Sequence, residues 1–264
     1  MDPVRLEREG PLARLVLNRP EQRNAVSSSM LAALSAALTQ LATDEEVRVV
    51  VLSGAGPDFC AGADFAELSE ARASSSGVQY GEAFEEVLRA IATHPVPVIA
   101  QVHGAALGAG CQLTVACDLA VAAEDARLGI PSARLGIVIN YENVERLVLA
   151  VGPKRAGEIL FTGRVVSGTE AAQWGLINRA VPAEEVEARA EELALAVAEA
   201  APLSVRGSKR GIAVVLEGLS LDRFREGHRV ADFEMMAAEA FASDDLAEGI
   251  RAFRERRKPR FQGR

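Results

Sequence analysis

Cysteine, histidine and aromatic residues are scarce in this chain. Among its 264 residues are three Cys and three His, and aromatic residues make up 5%, so Ala, Val and Leu have to build the core. Cys60, Cys111 and Cys117 match neither a disulfide framework nor a metal-ligand spacing. We therefore expect neither a disulfide-stapled fold nor a metal site.

Basic residues are fewer than acidic residues in this chain. Long apolar runs are also absent from the sequence. The chain has 29 Lys and Arg against 37 Asp and Glu, a formal net charge of −8. This balance argues against general nucleic-acid binding. No apolar run reaches the roughly 18–20 residues that a membrane helix needs. The first residues lack the apolar core of a signal peptide. We expect a cytoplasmic protein with no membrane partner.

The cysteines allow two interpretations. Cys111 and Cys117 lie in apolar surroundings, where cysteine usually packs as a small hydrophobic residue. The alternative is a nucleophilic thiol at Cys60 or Cys111. The apolar context favours the structural interpretation.

The order of apolar segments predicts an α/β protein. Strand–strand–helix units extend over residues 1–195, and a helical region follows over residues 196–264. Ser27 is the predicted N-cap of a helix with apolar residues at a 3.6-residue period. A helical region that cannot bury its apolar faces alone often packs on another subunit.

Residues 96–137 form the stretch around which the chain is organised. A strand-like run ends in a turn rich in Gly and Ala, and a buried helix and a second strand follow. At Gly108, Ala109 and Gly110, small residues expose the first N–H groups of that helix, which lack intrahelical partners. The helix dipole favours an anion there. The alternative is that these residues only permit tight packing.

Several motifs in a fixed order resemble the crotonase, or enoyl-CoA hydratase/isomerase, superfamily over essentially the whole chain. They are Leu-Asn-Arg-Pro at 17–20 with Asn-Ala at 24–25, Phe-Cys-Ala-Gly-Ala-Asp at 59–64, the glycine-rich segment 102–111, Cys-Asp at 117–118, Gly-Arg at 163–164 with Trp-Gly-Leu-Ile at 174–177, and Glu-Gly-Ile-Arg-Ala-Phe at 248–253.

The resemblance implies a crotonase-like spiral of ββα units with a C-terminal helical trimerisation region. It implies binding of acyl-CoA thioesters, whose oxygen two backbone N–H groups stabilise as an enolate forms. By position these groups belong to Ala63 and Ala109. The family usually has Gly at the second position, so the methyl group of Ala109 narrows the approach. One such donor is commonly worth ~3–4 kcal/mol of transition-state stabilisation.

The chain departs from the family at both hydratase carboxylates. Family hydratases use two glutamates on one water molecule, and these positions hold Gln112 and Ser132 here. A glutamine takes up no proton at neutral pH, and an unactivated serine is a poor base. We therefore expect that the protein is not an efficient conventional hydratase.

A relocated polar set is the candidate for proton transfer. Some relatives carry an acidic residue about eight positions beyond the second glutamate, where this chain has Asn140. Tyr141 and Glu142 follow directly, and Glu142 is the candidate base. The alternative is that Glu142 is a solvated helix residue or an intersubunit contact. For Asp64, capping of the following helix is favoured over catalysis.

The resemblance also implies which residues bind CoA, and it implies that the protein forms an oligomer. The candidates are Arg23, Ala61, Gly108, Lys258 and Phe261. Glu21 stands where several relatives have a CoA-contacting Lys, and Lys258 also fits a cationic helix end that complements the dipole. We expect a homotrimer or a dimer of trimers, with no cofactor apart from the CoA of the substrate.

Three function classes follow. The leading hypothesis is an enzyme that stabilises an acyl-CoA enolate and catalyses a non-hydratase reaction such as isomerisation or dehydration. The alternative is a non-catalytic acyl-CoA binding protein, since the pocket residues remain while both carboxylates are absent. A third possibility is a structural partner that stabilises an active homologue in a mixed assembly.

Overall fold

A computed structural model describes residues 2–74, 77–219, 235, 238–239, 241–260 and 262. Two sheets form its centre. The larger has six strands in the order β1-β2-β3-β4-β6-β9, antiparallel between β1 and β2 and parallel elsewhere. The smaller has the order β5-β7-β8. The strands are β1 Val4–Glu9, β2 Leu12–Leu17, β3 Val49–Gly54, β4 Val98–Val102, β5 Ala105–Leu107, β6 Leu119–Ala123, β7 Arg127–Gly129, β8 Val166–Ser167 and β9 Arg179–Val181.

Helices cover the sheets and continue to the C-terminal part of the chain. They are α1 Ser28–Ala42, α2 Phe65–Ser74, α3 Gly77–Ala92, α4 Ala109–Ala116, α5 Tyr141–Thr162, α6 Gly168–Trp174, α7 Val186–Glu199, α8 Pro202–Leu219 and α9 Asp244–Arg254. Short 3-10 turns lie at Pro20–Gln22, Pro131–Arg134 and Ala183–Glu185. The predicted boundary at residue 195 falls inside α7, so the division into two regions stays a prediction.

The parallel strands are buried on both faces, which explains their continuous apolar sequences. Every residue of β4 is buried. On one face, Val49, Val51 and Ile99 pack with Ala194 and Ala198 of α7. On the other, the main core joins the sheet to α1, α3 and α4. The layered α/β arrangement expected from the strand–strand–helix pattern is therefore present.

Helix α1 follows its sequence signals closely. The Ser27 hydroxyl accepts a hydrogen bond from the Met30 N–H at 3.2 Å, so the predicted N-cap is confirmed. The predicted apolar stripe is buried as well, and it consists of Met30, Leu31, Leu34, Leu38 and Leu41. This helix therefore takes both its start and its orientation from local sequence.

The C-terminal helices are tied to the core by charged groups. The Lys209 ammonium of α8 donates to Asp118 Oδ2 at 2.7 Å and to the Val96 carbonyl at 3.1 Å. Asp118 also accepts from the Val98 N–H at 2.7 Å, so its carboxylate joins the start of β4 to α8. No helix in the described ranges has both the length and the apolar character needed to cross a bilayer.

Candidate active site

Two turns that are distant in sequence lie side by side at the centre of the site. Cys60 and Ala106 form a parallel bridge. The Cys60 N–H donates to the Ala105 carbonyl at 2.8 Å, and the Leu107 N–H donates to the Cys60 carbonyl at 3.0 Å. Ala63 and Ala109 each come three residues after this bridge. The bridge therefore carries both predicted donors to the same place.

A glycine in the left-handed region precedes each donor. Gly62 has φ +126° and Gly108 has φ +54°, values that L side chains rarely adopt. A Cβ on Gly108 would lie 3.8 Å from Gly62 Cα, so the two turns nearly touch. Within the described part of the chain, the N–H groups of Ala63 and Ala109 donate to no protein acceptor. They are available to a ligand oxygen.

Gly110 sets the distance between the turns. A Cβ there would lie only 2.2 Å from the Cys60 carbonyl oxygen. Because only glycine fits, α4 begins directly against the first turn. Ala109 is the first residue of α4, and its N–H therefore has no intrahelical acceptor. The positive end of the dipole of α4 lies at the Ala109 N–H.

Gln112 lies one turn into α4, at the first of the two positions where family hydratases carry a glutamate. The residue is 9% exposed, and its amide makes no hydrogen bond among the described residues. Side chains of helical residues lean towards the N-terminus, so the amide of Gln112 lies over the turn that begins at Ala109. The amide is not among the buried polar atoms that lack a partner in the described residues, so it is accessible to water or to a ligand.

Ser132 reaches the same edge along the smaller sheet. Strands β5 and β7 are parallel, with Leu107 paired to Gly129. The Gly108 N–H donates to the Gly129 carbonyl at 2.8 Å. Ala109 and Ser132 therefore follow neighbouring strand ends. The Ser132 hydroxyl has no hydrogen-bond partner among the residues that the structure describes.

Asn140 belongs to a polar network that includes two groups missed from the sequence. It caps α5 through the Asn143 N–H at 3.2 Å, and its amide donates to Glu85 of α3 at 3.1 Å. Glu85 is buried and forms a two-point ion pair with Arg146. Arg146 also donates to the side chain of Asn143 at 3.0 Å. Asn140 is thus held in a fixed orientation.

Glu142 is the second residue of α5 and lies in sequence between Asn140 and Asn143 of this network. It is partly exposed and makes no hydrogen bond or ion pair with another described residue. Its neighbour Tyr141 donates to Glu145 at 3.4 Å. Helices α3 and α5 both pack against α4. Helix α5 thus packs on the element that carries Ala109 and Gln112, and Glu142 in its first turn remains the candidate base.

Arg23 stabilises the first turn, which carries Ala63, through its guanidinium and its backbone carbonyl. Its guanidinium donates to both carboxylate oxygens of Asp58, at 2.6 and 3.0 Å, and holds the pKa of that carboxyl below its usual range. The Arg23 carbonyl accepts the Ala61 N–H at 2.9 Å. Asp58 also accepts from the Ala105 N–H at 2.7 Å. A CoA phosphate would meet only the remaining N–H groups of Arg23.

Asp64 is used structurally. Its Oδ1 accepts the Ala66 N–H at 3.0 Å at the start of α2, so the predicted helix cap is confirmed. Its Oδ2 pairs with Arg19 at 2.9 Å. The same turn is fixed by the Tyr80 hydroxyl, which donates to the Val26 carbonyl at 2.9 Å. Val26 in turn bridges to Ala63. These contacts position the Ala63 donor.

The cysteine thiols near the site are inert at neutral pH. Burial raises the pKa of both Cys60 and Cys111 to about 12, so the thiolate is scarce. Cys60 directs its sulfur to the Gly62 carbonyl at 3.7 Å. The packing interpretation of these residues therefore fits, and a nucleophilic thiol does not.

The C-terminal candidates are only partly described. The Lys258 side chain is exposed, and Phe261 lies outside the described residues. Arg257 is directed to Glu248, at 2.6 and 2.9 Å. Of these two cations, only Lys258 has a side chain without a partner among the described residues. In the described ranges, no group of three or more His, Cys, Asp or Glu side chains is arranged to hold a metal ion.

The chain is similar in sequence and in fold to known proteins. The family model described as enoyl-CoA hydratase/isomerase matches residues 7–264. Crotonyl-CoA hydratase of Syntrophomonas wolfei is 36% identical over 257 residues, which are 97% of this chain and 96% of the relative. An enoyl-CoA hydratase/isomerase from Xanthobacter autotrophicus Py2 matches with TM-score 0.86 and 31% identity, covering 96% of this chain and 93% of that one. A methylmalonyl-CoA decarboxylase structure matches with TM-score 0.87 and 26% identity, covering 99% and 98%.

Proposed function

Because the chain belongs to the enoyl-CoA hydratase/isomerase family of the crotonase superfamily, with its mixed α/β fold, we propose that it binds acyl-CoA thioesters and stabilises their enolates. The observation that carries this proposal is the pair of unpartnered N–H groups at Ala63 and Ala109, set side by side by the Cys60–Ala106 bridge. Fixed donors of this kind act on charge that develops in the transition state.

The reaction that we propose is not conventional hydration. Gln112 and Ser132 are neutral, and neither activates a water molecule at neutral pH as a carboxylate would. An isomerisation moves a proton between two carbons of the acyl group, and it needs one proton-transfer group instead of a pair acting on water. Dehydration of a 3-hydroxyacyl-CoA is the reverse of hydration and needs the same two groups, so isomerisation is the reaction that fits these residues. Glu142 is the candidate, since it is ionisable, unpaired within the described residues and located at the start of α5.

Binding of CoA is assigned to residues around the two turns and at the C-terminal end. Arg23, Ala61 and Gly108 border the site, and Lys258 and Phe261 extend the set. No cofactor is proposed beyond the CoA of the substrate. We also propose a homotrimer or a dimer of trimers in the cytoplasm, supported by apolar side chains that α8 leaves exposed.

Exchange of the α-proton tests the enzymatic proposal. A panel of saturated and unsaturated acyl-CoAs is incubated in D2O, and deuterium at the α-carbon is followed by NMR. We expect exchange with at least one thioester, loss of that exchange in Glu142→Gln, and hydration of crotonyl-CoA far below the usual enzymatic range. Crotonyl-CoA hydration at an ordinary turnover would contradict the proposal, and full activity of Glu142→Gln would remove Glu142 from it.

A non-catalytic acyl-CoA carrier is the second candidate. The loss of both carboxylates at positions 112 and 132 favours it, because a carrier needs the pocket and no proton transfer. Tight binding in calorimetry without α-proton exchange for any thioester in the panel would identify a carrier. Exchange with even one thioester would exclude it.

A further inference from the structure

A small cavity lies near the starting ends of β3 and β4, at the edge of the large sheet opposite the two donor turns. It has a volume of about 70 Å³ and is bounded by the loop after α1, the start of β4 and the junction of α7 with α8. Arg48 and Val96 border it and precede β3 and β4, whereas the turns with Ala63 and Ala109 follow these parallel strands. The cavity is therefore separate from the proposed thioester site.

Two guanidinium groups border the cavity, those of Arg48 and Arg206. The Nε–H of Arg206 is buried without a hydrogen-bond partner, and the rest of this side chain makes no hydrogen bond or ion pair with a described residue. Arg48 donates from Nη1 to the Ala198 carbonyl at 3.1 Å and makes no ion pair within the described part of the chain. A guanidinium carries several N–H donors, so most donors of these two side chains remain available to a ligand.

The charge around the cavity is positive. Among the described residues that border it, Glu45 supplies the one carboxylate, and this group is paired with neither arginine. Lys209, which lies one turn beyond Arg206 on α8, is instead paired with Asp118 at 2.7 Å. A buried cationic N–H without an acceptor costs free energy, and the described chain supplies no acceptor for it. Two guanidiniums against one carboxylate therefore favour an anion here.

We propose that this cavity binds a small tetrahedral oxyanion of the phosphate class. Hydrogen bonds from a guanidinium to phosphate oxygens are charge-assisted, and the two groups match in geometry. A tetrahedral ion presents oxygens in several directions, as Arg48 in the loop after α1 and Arg206 on α8 require. A volume of about 70 Å³ admits such an ion, whereas a nucleotide or CoA needs a several-fold larger pocket.

The bound ion joins α8 to the sheet. Arg48 directly precedes β3, and Arg206 lies in the second turn of α8, so an ion shared by both side chains links these elements. Helix α8 also carries the exposed side chains of Ile212 and Val215. Phosphate thus anchors the helix whose apolar face supports the proposed assembly, while the site itself is independent of thioester binding.

Titration with inorganic phosphate tests the proposal. The full-length protein is titrated calorimetrically in chloride buffer at constant ionic strength, and its thermal midpoint is recorded at each phosphate concentration. We expect saturable binding and a midpoint that rises with phosphate and then levels off. Arg48→Met and Arg206→Met should each weaken binding at least tenfold. Glu45→Gln should strengthen binding about threefold, because it removes a repelling charge.

Arg89→Met is the matched control. Arg89 is exposed on α3, and its side chain makes no hydrogen bond or ion pair with a described residue. The same substitution there removes an equal charge away from the cavity, so phosphate binding should not change. In chloride alone, we expect Arg206→Met to unfold no earlier than the unsubstituted protein, because a buried unpaired donor is removed. Butyryl-CoA affinity should be the same in all of these variants.

Three results would overturn the proposal. If phosphate shows no saturable binding, water is the partner of the Arg206 Nε–H. Binding that survives both Arg48→Met and Arg206→Met would place the ion elsewhere on the protein. Weaker binding in Glu45→Gln would mean that the ligand donates to a carboxylate, which excludes a simple oxyanion. None of these results bears on the proposed function, which the butyryl-CoA titration tests separately.

Discussion

The site depends on small residues whose role is geometric. Gly62 and Gly108 adopt positive φ before the two donors, and Gly110 lets α4 start against the Cys60 carbonyl. The donors themselves are alanines, because only their backbone N–H groups are used. The site therefore requires that the turns carrying Ala63 and Ala109 stay in contact.

Substitution of Gly110 by Ala separates the two turns. The new Cβ would meet the Cys60 carbonyl oxygen at 2.2 Å, so α4 has to shift. We expect a loss of unfolding free energy of about 1–3 kcal/mol, as for other overpacked sites, and at least tenfold weaker thioester binding. Both are measurable by chemical denaturation and calorimetry.

Gly81→Ala serves as the control for this change. Gly81 lies in α3 with nothing within 4 Å of the position of a Cβ. It should gain a few tenths to 1 kcal/mol from helix propensity and bind thioester normally. If Gly110→Ala binds as well as Gly81→Ala, contact between the turns is not what creates the site.

The donors Ala63 and Ala109 and the substituted positions 112 and 132 could be predicted from local sequence motifs, because each motif fixes its own turn. The role of Glu85 could not be predicted in this way. It lies on an amphipathic helix 55 residues before Asn140, where a Glu beside Phe84 and Glu86 is typical of a solvated face. Only the packing of α3 against α5 shows that its carboxylate is buried and paired.

Among the elements, α3 and α5 are joined by the Glu85–Arg146 ion pair. Glu85→Leu leaves the Arg146 guanidinium without its partner and releases Asn140 at the start of α5. We expect a loss of about 3 kcal/mol in unfolding free energy. The double variant Glu85→Leu with Arg146→Met should lose less than the sum of the two single changes, which denaturation curves of all four proteins would measure. Strict additivity would mean that the pair contributes no coupling.

The C-terminal part is organised around the Glu248 carboxylate. Arg257 and Arg251 donate to it, the Arg260 N–H adds a bond at 2.9 Å, and together they hold the pKa of Glu248 well below its usual range. Its Gly249 neighbour packs on the Leu135 carbonyl, so the segment is seated beside the turn that holds Ser132. The family motif at residues 248–253 thus has a structural role.

Acid should weaken this arrangement. Because the pKa of Glu248 is lower in the folded state, its stabilisation is complete above the unfolded pKa of about 4.3 and is lost as the pH falls below that value. We expect the unfolding free energy to decline as the pH falls from about 5 to about 2, and to decline less steeply in Glu248→Gln. Urea denaturation across this range measures both slopes. Identical slopes would show that other carboxylates govern the acid response.

The strands differ in how readily they can be predicted from the sequence. β3 and β4 were predictable from continuous apolar runs, since both faces are covered. β1 gives no such signal because Arg5, Glu7, Arg8 and Glu9 dominate it, and as an edge strand it leaves five of its six residues out of the core. β5 and β7 have three residues each, too few for a periodic signal.

For the whole molecule, the exposed apolar side chains call for a partner surface. Leu203, Ile212 and Val215 of α8 are 84%, 63% and 61% exposed. We expect sedimentation equilibrium to give the mass of three or six chains. Ile212→Glu with Val215→Glu should reduce that mass, whereas Ala32→Glu on the exposed side of α1 should not. A monomer at all concentrations would contradict the proposed assembly.

The central claim is that two backbone N–H groups share one ligand oxygen. A crystal structure with a non-hydrolysable acyl-CoA analogue tests it most directly. We expect a carbonyl oxygen about 3 Å from both Ala63 N and Ala109 N. A bound analogue whose carbonyl oxygen contacts neither nitrogen would contradict it.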